Sequence, residues 1–366
     1  MNTHETLVIL TPGFPADEDD STCIPPQQLF VKALKKQKPE LNIIVISFQY
    51  PFEVRQYTWH DMQVIALGGR SRGKLYRRAL WLKVWRTLKQ LNRQHQIIGL
   101  LSFWMGECAF IGNRFANKYG RMHYCWVLGQ DARTGNRFVR LINPKGEQLI
   151  ALSDQLAREV EVNYGIVPKH IIPPGIDTSM FGTPATKRDI DLMGAGSLIP
   201  LKQYELFVDV VKKLTIQFPH IKAVICGRGP EMERLKHQII RLKLENNVKL
   251  TGGLTHGEVL AMMQRTKVFL HTSAYEGFGM VLSEALYAGA QVVSLVKPMD
   301  LMPEEFHQGK NENELVGLVS GFLDDKDLKH EPVLFNPIEC IADKVTELFI
   351  NDDLTTEGTE ILHRGH

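Results

Sequence analysis

"VFLHTSAYEGFGMVLSEALYAGAQVVSLV", residues 268–296, decides the fold. "VFLHTS" is a short apolar run of the kind that forms a buried strand. "AYEGFG" bends, because Gly277 and Gly279 interrupt the run. "MVLSEALYA" then has helical character and is closed by Gly289, in the usual place for a glycine after a helix. "AQVVSLV" is a second short apolar run. Two buried strands joined through a helix are a βαβ unit, and its strands run parallel.

The same alternation extends outward in both directions. Upstream come "IDLMGAG", "QYELFVDVVKKLTIQF", "KAVICG", "EMERLKHQIIRLKL", "VKLTG" and "GEVLAMMQRT". A separate series fills the first half: "TLVIL", "PPQQLFVKALKKQ", "NIIVISF", "QVIALGG", a long basic helix, "IIGLLSF", "ECAFIGNRFANKYG", "MHYCWVL", "LIALS" and "SDQLAREVEVNYG". Between the two series lies "IIPPGIDTSMFGTPATKRD", rich in proline and glycine and without periodicity, which reads as a connection. The expected class is α/β, with two Rossmann-like, doubly wound domains facing a central cleft. The boundaries fall at 1–176 and 177–336. Residues 337–366 form a last helix and a frayed tail, expected to pack back toward the first domain.

Composition narrows the function. The 366 residues carry a formal net charge of +2, so global charge points to no nucleic-acid partner. Five scattered cysteines without a CxxC spacing argue for reduced thiols and against a disulfide or zinc framework. The N-terminus reads as no signal peptide, and no apolar run approaches the ~20 residues of a membrane span. The expected location is cytoplasmic.

Four stretches in the second half place chemistry at the ends of strands, where open α/β sheets bind ligands. Gly194, Gly196 and Ser197 end a strand and Lys202 precedes a helix, an arrangement suited to a phosphate or, more simply, a turn with a solvated lysine. Gly227 and Gly229 flank Arg228, which fits a tight turn as well as a ligand contact. His256 opens a helix, where it serves as a base or sugar contact or as an ordinary loop histidine. Glu276 and Glu284 bracket the glycine bend and the helix start. A helix N-terminus holds a diphosphate, and carboxylates accept hydrogen bonds from sugar and ribose hydroxyls.

With these residues the chain resembles the retaining glycosyltransferases of family 4, which have the GT-B fold. Its Glu276-to-Glu284 spacing within "EGFGMVLSEA" matches the family's Glu-x7-Glu element, supported by "LIALSD", "IIPPGIDTSMF", "GSLIPLK" and "CGRGPE". The resemblance implies a UDP- or GDP-sugar donor and no separate cofactor or metal. It places Glu276 on the donor sugar, the Gly277, Phe278, Gly279, Met280 and Val281 stretch on sugar and diphosphate, Glu284 on the ribose and Lys202 on the diphosphate. Gly196, Ser197, Gly227 and Arg228 complete the expected donor site. Glu276, Lys202 and Asp131 are the expected catalytic residues. Two departures stand out: Ser197 where the family often has arginine, and Leu128 where "WVLGQDA" would carry the family's histidine. Gln130 and Asp131 are therefore the expected acceptor contacts.

No Asp or Glu occurs between Asp61 and Glu107, and residues 70–93 hold nine Lys or Arg. On a helix Leu80, Trp81, Val84, Leu88 and Leu91 share one face, while Arg78, Arg86 and Lys89 lie on the other. That face is either merely solvated or meets an anionic membrane surface or a phosphate-bearing acceptor. The reading as a whole is transfer to a glycan or lipid-linked acceptor in envelope polysaccharide or glycolipid synthesis, peripherally on the inner face of the membrane. The rivals are a GT-B nucleotide-sugar epimerase and a non-catalytic sugar-nucleotide-binding protein. A dinucleotide oxidoreductase would require GxGxxG after the first strand, which "TPGFPADE" lacks.

Overall fold

The structure, a computed structural model, describes residues 5–20, 23–183 and 187–350. It separates into two compact units, Met1–Gly175 together with Ile338–His366, and Ile176–Pro337.

The first unit is built on β1 (Glu5–Gly13), α1 (Pro25–Gln37), β2 (Asn42–Tyr50), β3 (Val54–Trp59), β4 (Met62–Leu67), α2 (Lys74–Gln94), β5 (Gln96–Phe103), α3 (Glu107–Tyr119), β6 (Met122–Val127), α4 (Arg137–Ile142), β7 (Leu149–Ala151), α5 (Asp154–Tyr164) and β8 (His170–Ile171). Its sheet runs β3-β4-β2-β1-β5-β6-β7-β8, parallel except for the β3–β4 pair. Leu7 to Leu10 of β1 are all buried, because helices cover both faces of a parallel sheet. The order reverses between β1 and β5.

The sequence carries no clear signal for β3. Its hairpin to β4 turns at His60 and Asp61, both with positive φ (44° and 60°). Two-residue hairpins of this kind usually announce themselves with Asn-Gly or Asp-Gly. Here the turn chemistry gives no such signal, and β3 is an exposed edge strand.

The second unit comprises β9 (Ile190–Ala195), α6 (Tyr204–Leu214), β10 (Ala223–Cys226), α7 (Met232–Arg241), β11 (Val248–Gly252), α8 (His256–Gln264), β12 (Thr266–His271), α9 (Met280–Tyr287), β13 (Gln291–Ser294), β14 (Phe306–Gln308) and α10 (Glu312–Asp324). The order β11-β10-β9-β12-β13-β14 is parallel throughout and reverses between β9 and β12. Such a reversal leaves room for a ligand beyond the carboxyl ends of the two central strands.

The last helix, α11 (Ile338–Ile350), returns to the first unit. Ile338, Ile341, Ala342, Val345 and Phe349 recur at helical spacing and join Phe30 and Leu34 of α1 in one core. Tyr124 packs edge-on against Phe349, with ring centroids 5.0 Å apart, and donates to the carbonyl of Leu348 at 3.0 Å. The expected tail, 351–366, lies outside the described residues. No helix among the described residues is long and apolar enough to cross a membrane.

Candidate active site

The carboxyl ends of β9 and β12 are tied together by the loops that follow them. The amide of Ala274 donates to the carbonyl of Leu201 at 2.9 Å, and the Thr272 hydroxyl donates to the carbonyl of Lys202 at 2.8 Å. This stitching fixes the 3-10 turn Pro200–Lys202 against the bend that carries Glu276. Lys202 Nζ meets Glu276 Oε1 as an ion pair, with the two side chains only 20% and 14% exposed. The same oxygen faces His271 Nε2 at 3.0 Å, and His271 Nδ1 faces Ser294 Oγ at 3.2 Å. Burial opposes ionisation of Glu276. The His271 hydrogen bond and the Lys202 charge outweigh it and pull the carboxyl down to about 2. Glu276 is therefore a carboxylate, held by one of its two oxygens.

Beyond Glu276, Gly279 takes φ = 80° as the residue before α9, and no side chain caps the helix. That left-handed conformation is easy for glycine and costly for other residues. The exposed amide dipoles at such a helix start attract anions. Phe278 is buried, so its side chain belongs to the core and only its backbone is available to a ligand.

Glu284, also buried, faces His256 Nε2 at 2.8 Å, across from the start of α8. The hydrogen bond to Glu284 raises the pKa of His256, against the opposing effect of burial. His256 sits just after Thr255, the cap of α8, whose hydroxyl accepts from the Glu258 amide in a capping box.

The Gly227-Arg228-Gly229 stretch is explained by a close crossing of loops. The Gly196 amide donates to Cys226 O and the Leu198 amide to Arg228 O, both at 2.9 Å. A Cβ on Gly227 would lie 1.8 Å from Gly196 O, and one on Gly229 would lie 2.2 Å from Leu198 O. These glycines let the loops after β9 and β10 lie in contact, leaving Ser197 and Arg228 exposed. Among the described residues, no group of three or more His, Cys, Asp or Glu is placed to hold a metal ion.

In the first unit, Asp131 is buried. Its Oδ2 accepts from the amides of Met105 (2.9 Å) and Leu128 (3.0 Å), which ties the loop after β5 to the end of β6. Burial raises its pKa to about 6, with those two backbone hydrogen bonds opposing. Gln130, its neighbour, is exposed, and Leu128 belongs to the core. Beyond β1, β2 and β5 opens a cavity of 240 Å³ lined mainly by Pro12, Phe48, Phe103, Trp104 and Phe138. It lies where the sheet order reverses, and Trp104 there has φ = 66°.

On α2, Leu80, Val84, Leu88 and Leu91 are buried as their spacing requires, while Arg78, Arg86 and Lys89 are exposed. Leu75, Tyr76 and Leu82 are exposed too, at 78%, 63% and 58%, which the heptad-like spacing of the buried face did not announce. Glu107 anchors the helix to α3, accepting from Arg77 (2.9 Å) and from Trp81 Nε1 (3.0 Å).

Sequence reasoning missed His271. It follows the apolar run Val268–Leu270 at the end of β12, five residues before Glu276, and a polar side chain closing a buried run was the available signal.

The fold is of the GT-B type. Sucrose-phosphate synthase from Thermosynechococcus elongatus superposes with a TM-score of 0.72 over 96% of this chain and 100% of that one, at 17% identity. HepE from Anabaena, solved in complex with UDP and glucose, gives 0.63 over 97% and 100%, at 18% identity. Residues 176–328, nearly the whole second unit, match the family model of glycosyl transferases group 1. The 2-deoxystreptamine N-acetyl-D-glucosaminyltransferase of Niallia circulans is 32% identical over 99 residues, 27% of this chain and 25% of that enzyme. The glycogen synthase of Mycobacterium tuberculosis is 25% identical over 205 residues, 55% of this chain and 49% of that enzyme. The chain thus spans about a quarter of the length of the first relative and about half of the second.

Proposed function

We propose that this protein is a glycosyltransferase of the family 4 type, moving a sugar from a UDP- or GDP-sugar to an acceptor hydroxyl with retention of configuration. The observation that carries the reading is the cluster at the β9–β12 reversal: Lys202 and His271 on Glu276, an uncapped helix start at Gly279, and Glu284 on the same helix. The diphosphate would lie at the start of α9 with Lys202, and Gly196, Ser197 and Arg228 would border it. Glu276 would receive sugar hydroxyls and Glu284 the ribose. Lys202 and the helix dipole neutralise charge on the leaving diphosphate, a task that then needs no metal.

In the transfer, the bond from the anomeric carbon to the diphosphate oxygen breaks and a bond to the acceptor oxygen forms. The acceptor proton passes to the departing diphosphate. The match of residues 176–328 to the group 1 family and the fold of HepE, solved with UDP and glucose, support this reading.

The first unit would receive the acceptor, a glycan or a lipid-linked glycan of envelope polysaccharide or glycolipid synthesis. Of the two expected contacts Gln130 is the exposed one, and Asp131 shapes the turn that presents it. The exposed Arg78, Arg86 and Lys89, with Leu75 and Leu82 among them, fit an anionic membrane surface. There basic groups meet phosphates and apolar tips enter the interface.

The test is donor turnover. The protein is incubated with UDP- and GDP-sugars, with and without lipid-linked and soluble glycan acceptors, and the products are separated by mass spectrometry. Acceptor-dependent release of nucleoside diphosphate with a new glycoside supports the reading. Acceptor-independent release would make the protein an epimerase or hydrolase, and binding without turnover would leave a sugar-nucleotide-binding protein.

A further inference from the structure

Hydrogen-bond bookkeeping determines the protons on His271. A serine hydroxyl has one hydrogen to donate. Ser294 Oγ donates to the carbonyl of Val296 at 2.8 Å and accepts from its amide at 3.2 Å. His271 Nδ1, 3.2 Å from that oxygen, must therefore be the donor. On the other side, Nε2 lies 3.0 Å from a Glu276 oxygen that also holds Lys202. An ionised carboxylate only accepts, so Nε2 donates as well. His271 then carries a proton on both nitrogens, and Glu276 Oε1 is shared by two cations. The two are held differently. His271 is 4% exposed and pinned by Ser294 on β13, whereas Lys202 is the end of a flexible chain on a surface turn.

We propose that His271 is a positioning residue that keeps Glu276 in place while Lys202 passes from Glu276 to the donor diphosphate. This rests on the donor-site reading above. Without a second cation, drawing Lys202 away would leave a buried carboxylate unpaired, a costly state that would oppose diphosphate binding. With His271 in place Glu276 keeps one charge-assisted hydrogen bond, and its Oε2 stays available to a sugar hydroxyl.

The test is a double-mutant cycle read by calorimetry with UDP and GDP as ligands and uridine and guanosine as controls. His271→Leu removes the donor. His271→Gln keeps a neutral one and guards against a fold defect, checked by circular dichroism. In the presence of Lys202, His271→Leu is expected to weaken diphosphate binding about tenfold, the scale of one charge-assisted hydrogen bond, with His271→Gln intermediate. Nucleoside binding should change less than about twofold, a margin well below one hydrogen bond. In the Lys202→Ala background, where there is no lysine to hand over, the further loss from His271→Leu should shrink to less than about threefold. Equal losses in both backgrounds, or none in either, overturn the proposal while leaving the donor site standing. Failure of the wild-type protein to bind either diphosphate overturns the donor-site reading and the handover with it. A separate check needs no ligand. Nitrogen-15 spectra of the free protein should show both His271 ring nitrogens protonated, and a single unprotonated ring nitrogen would refute the bookkeeping whatever binds.

Discussion

Glu276 offers the sharpest quantitative test, because its ionisation is tied to the folded state. The carboxyl falls from the ordinary 4.5 to about 2 on folding. A depressed folded pKa stabilises the protein above the unfolded value, and the contribution is lost as the pH falls from about 4.5 through about 2. The full shift corresponds to about 3 kcal/mol, at roughly 1.4 kcal/mol per unit, an upper figure for a side chain 14% exposed. Linkage between these two values gives a loss of about 1.4 kcal/mol between pH 7 and pH 3.5. Glu276→Gln cannot titrate, so the stability difference between wild type and variant should narrow by about that much over this range. The reporter must follow the second unit. All five tryptophans, Trp59, Trp81, Trp85, Trp104 and Trp126, lie in the first unit, so their fluorescence does not report on the second unit directly. Urea titrations followed by hydrogen exchange of peptides from β12 and β13 report on the right region. A wild-type-minus-variant difference that stays constant from pH 7 to pH 3.5 would refute the ion-pair reasoning.

Further outcomes follow from the same geometry. Glu284→Ala should weaken nucleotide binding, whereas Glu276→Ala should damage turnover more than nucleotide binding; each lost hydrogen bond is worth about 0.5–3 kcal/mol, and calorimetry with steady-state kinetics separates the two. Gly227→Ala should lower the unfolding midpoint and weaken diphosphate binding together. Its Cβ would stand 1.8 Å from Gly196 O and force the loop after β9 outward, so a variant with unchanged melting and affinity would contradict the loop crossing. Replacing Arg78, Arg86 and Lys89 together with Gln should abolish salt-sensitive co-sedimentation with anionic vesicles and leave nucleotide binding intact. Each basic residue near such a surface contributes about 1 kcal/mol, so wild-type protein that stays in the supernatant at low salt would dismiss the membrane reading.

The alternation of apolar runs and helical stretches determined the parallel strands of the two sheets, because period and run length are local properties that a chain carries wherever it folds. The Glu276–Glu284 spacing, the glycine bend and the buried face of α2 were legible for the same reason: each lies within one element and its flanking turn. Turn chemistry was legible only where it followed common usage, so the hairpin at His60 and Asp61 passed unnoticed. What tertiary structure alone decided is which side chains share an atom. Lys202 and Glu276 are 74 residues apart, and His256 and Glu284 are 28 apart. They meet because the strand order places the ends of β9, β11 and β12 along one edge. His271 looked like part of a buried strand until β13 brought Ser294 to one nitrogen and the bend brought Glu276 to the other. Gly227 and Gly229 likewise found their reason in a second loop, because a missing Cβ matters only against the backbone that occupies its place.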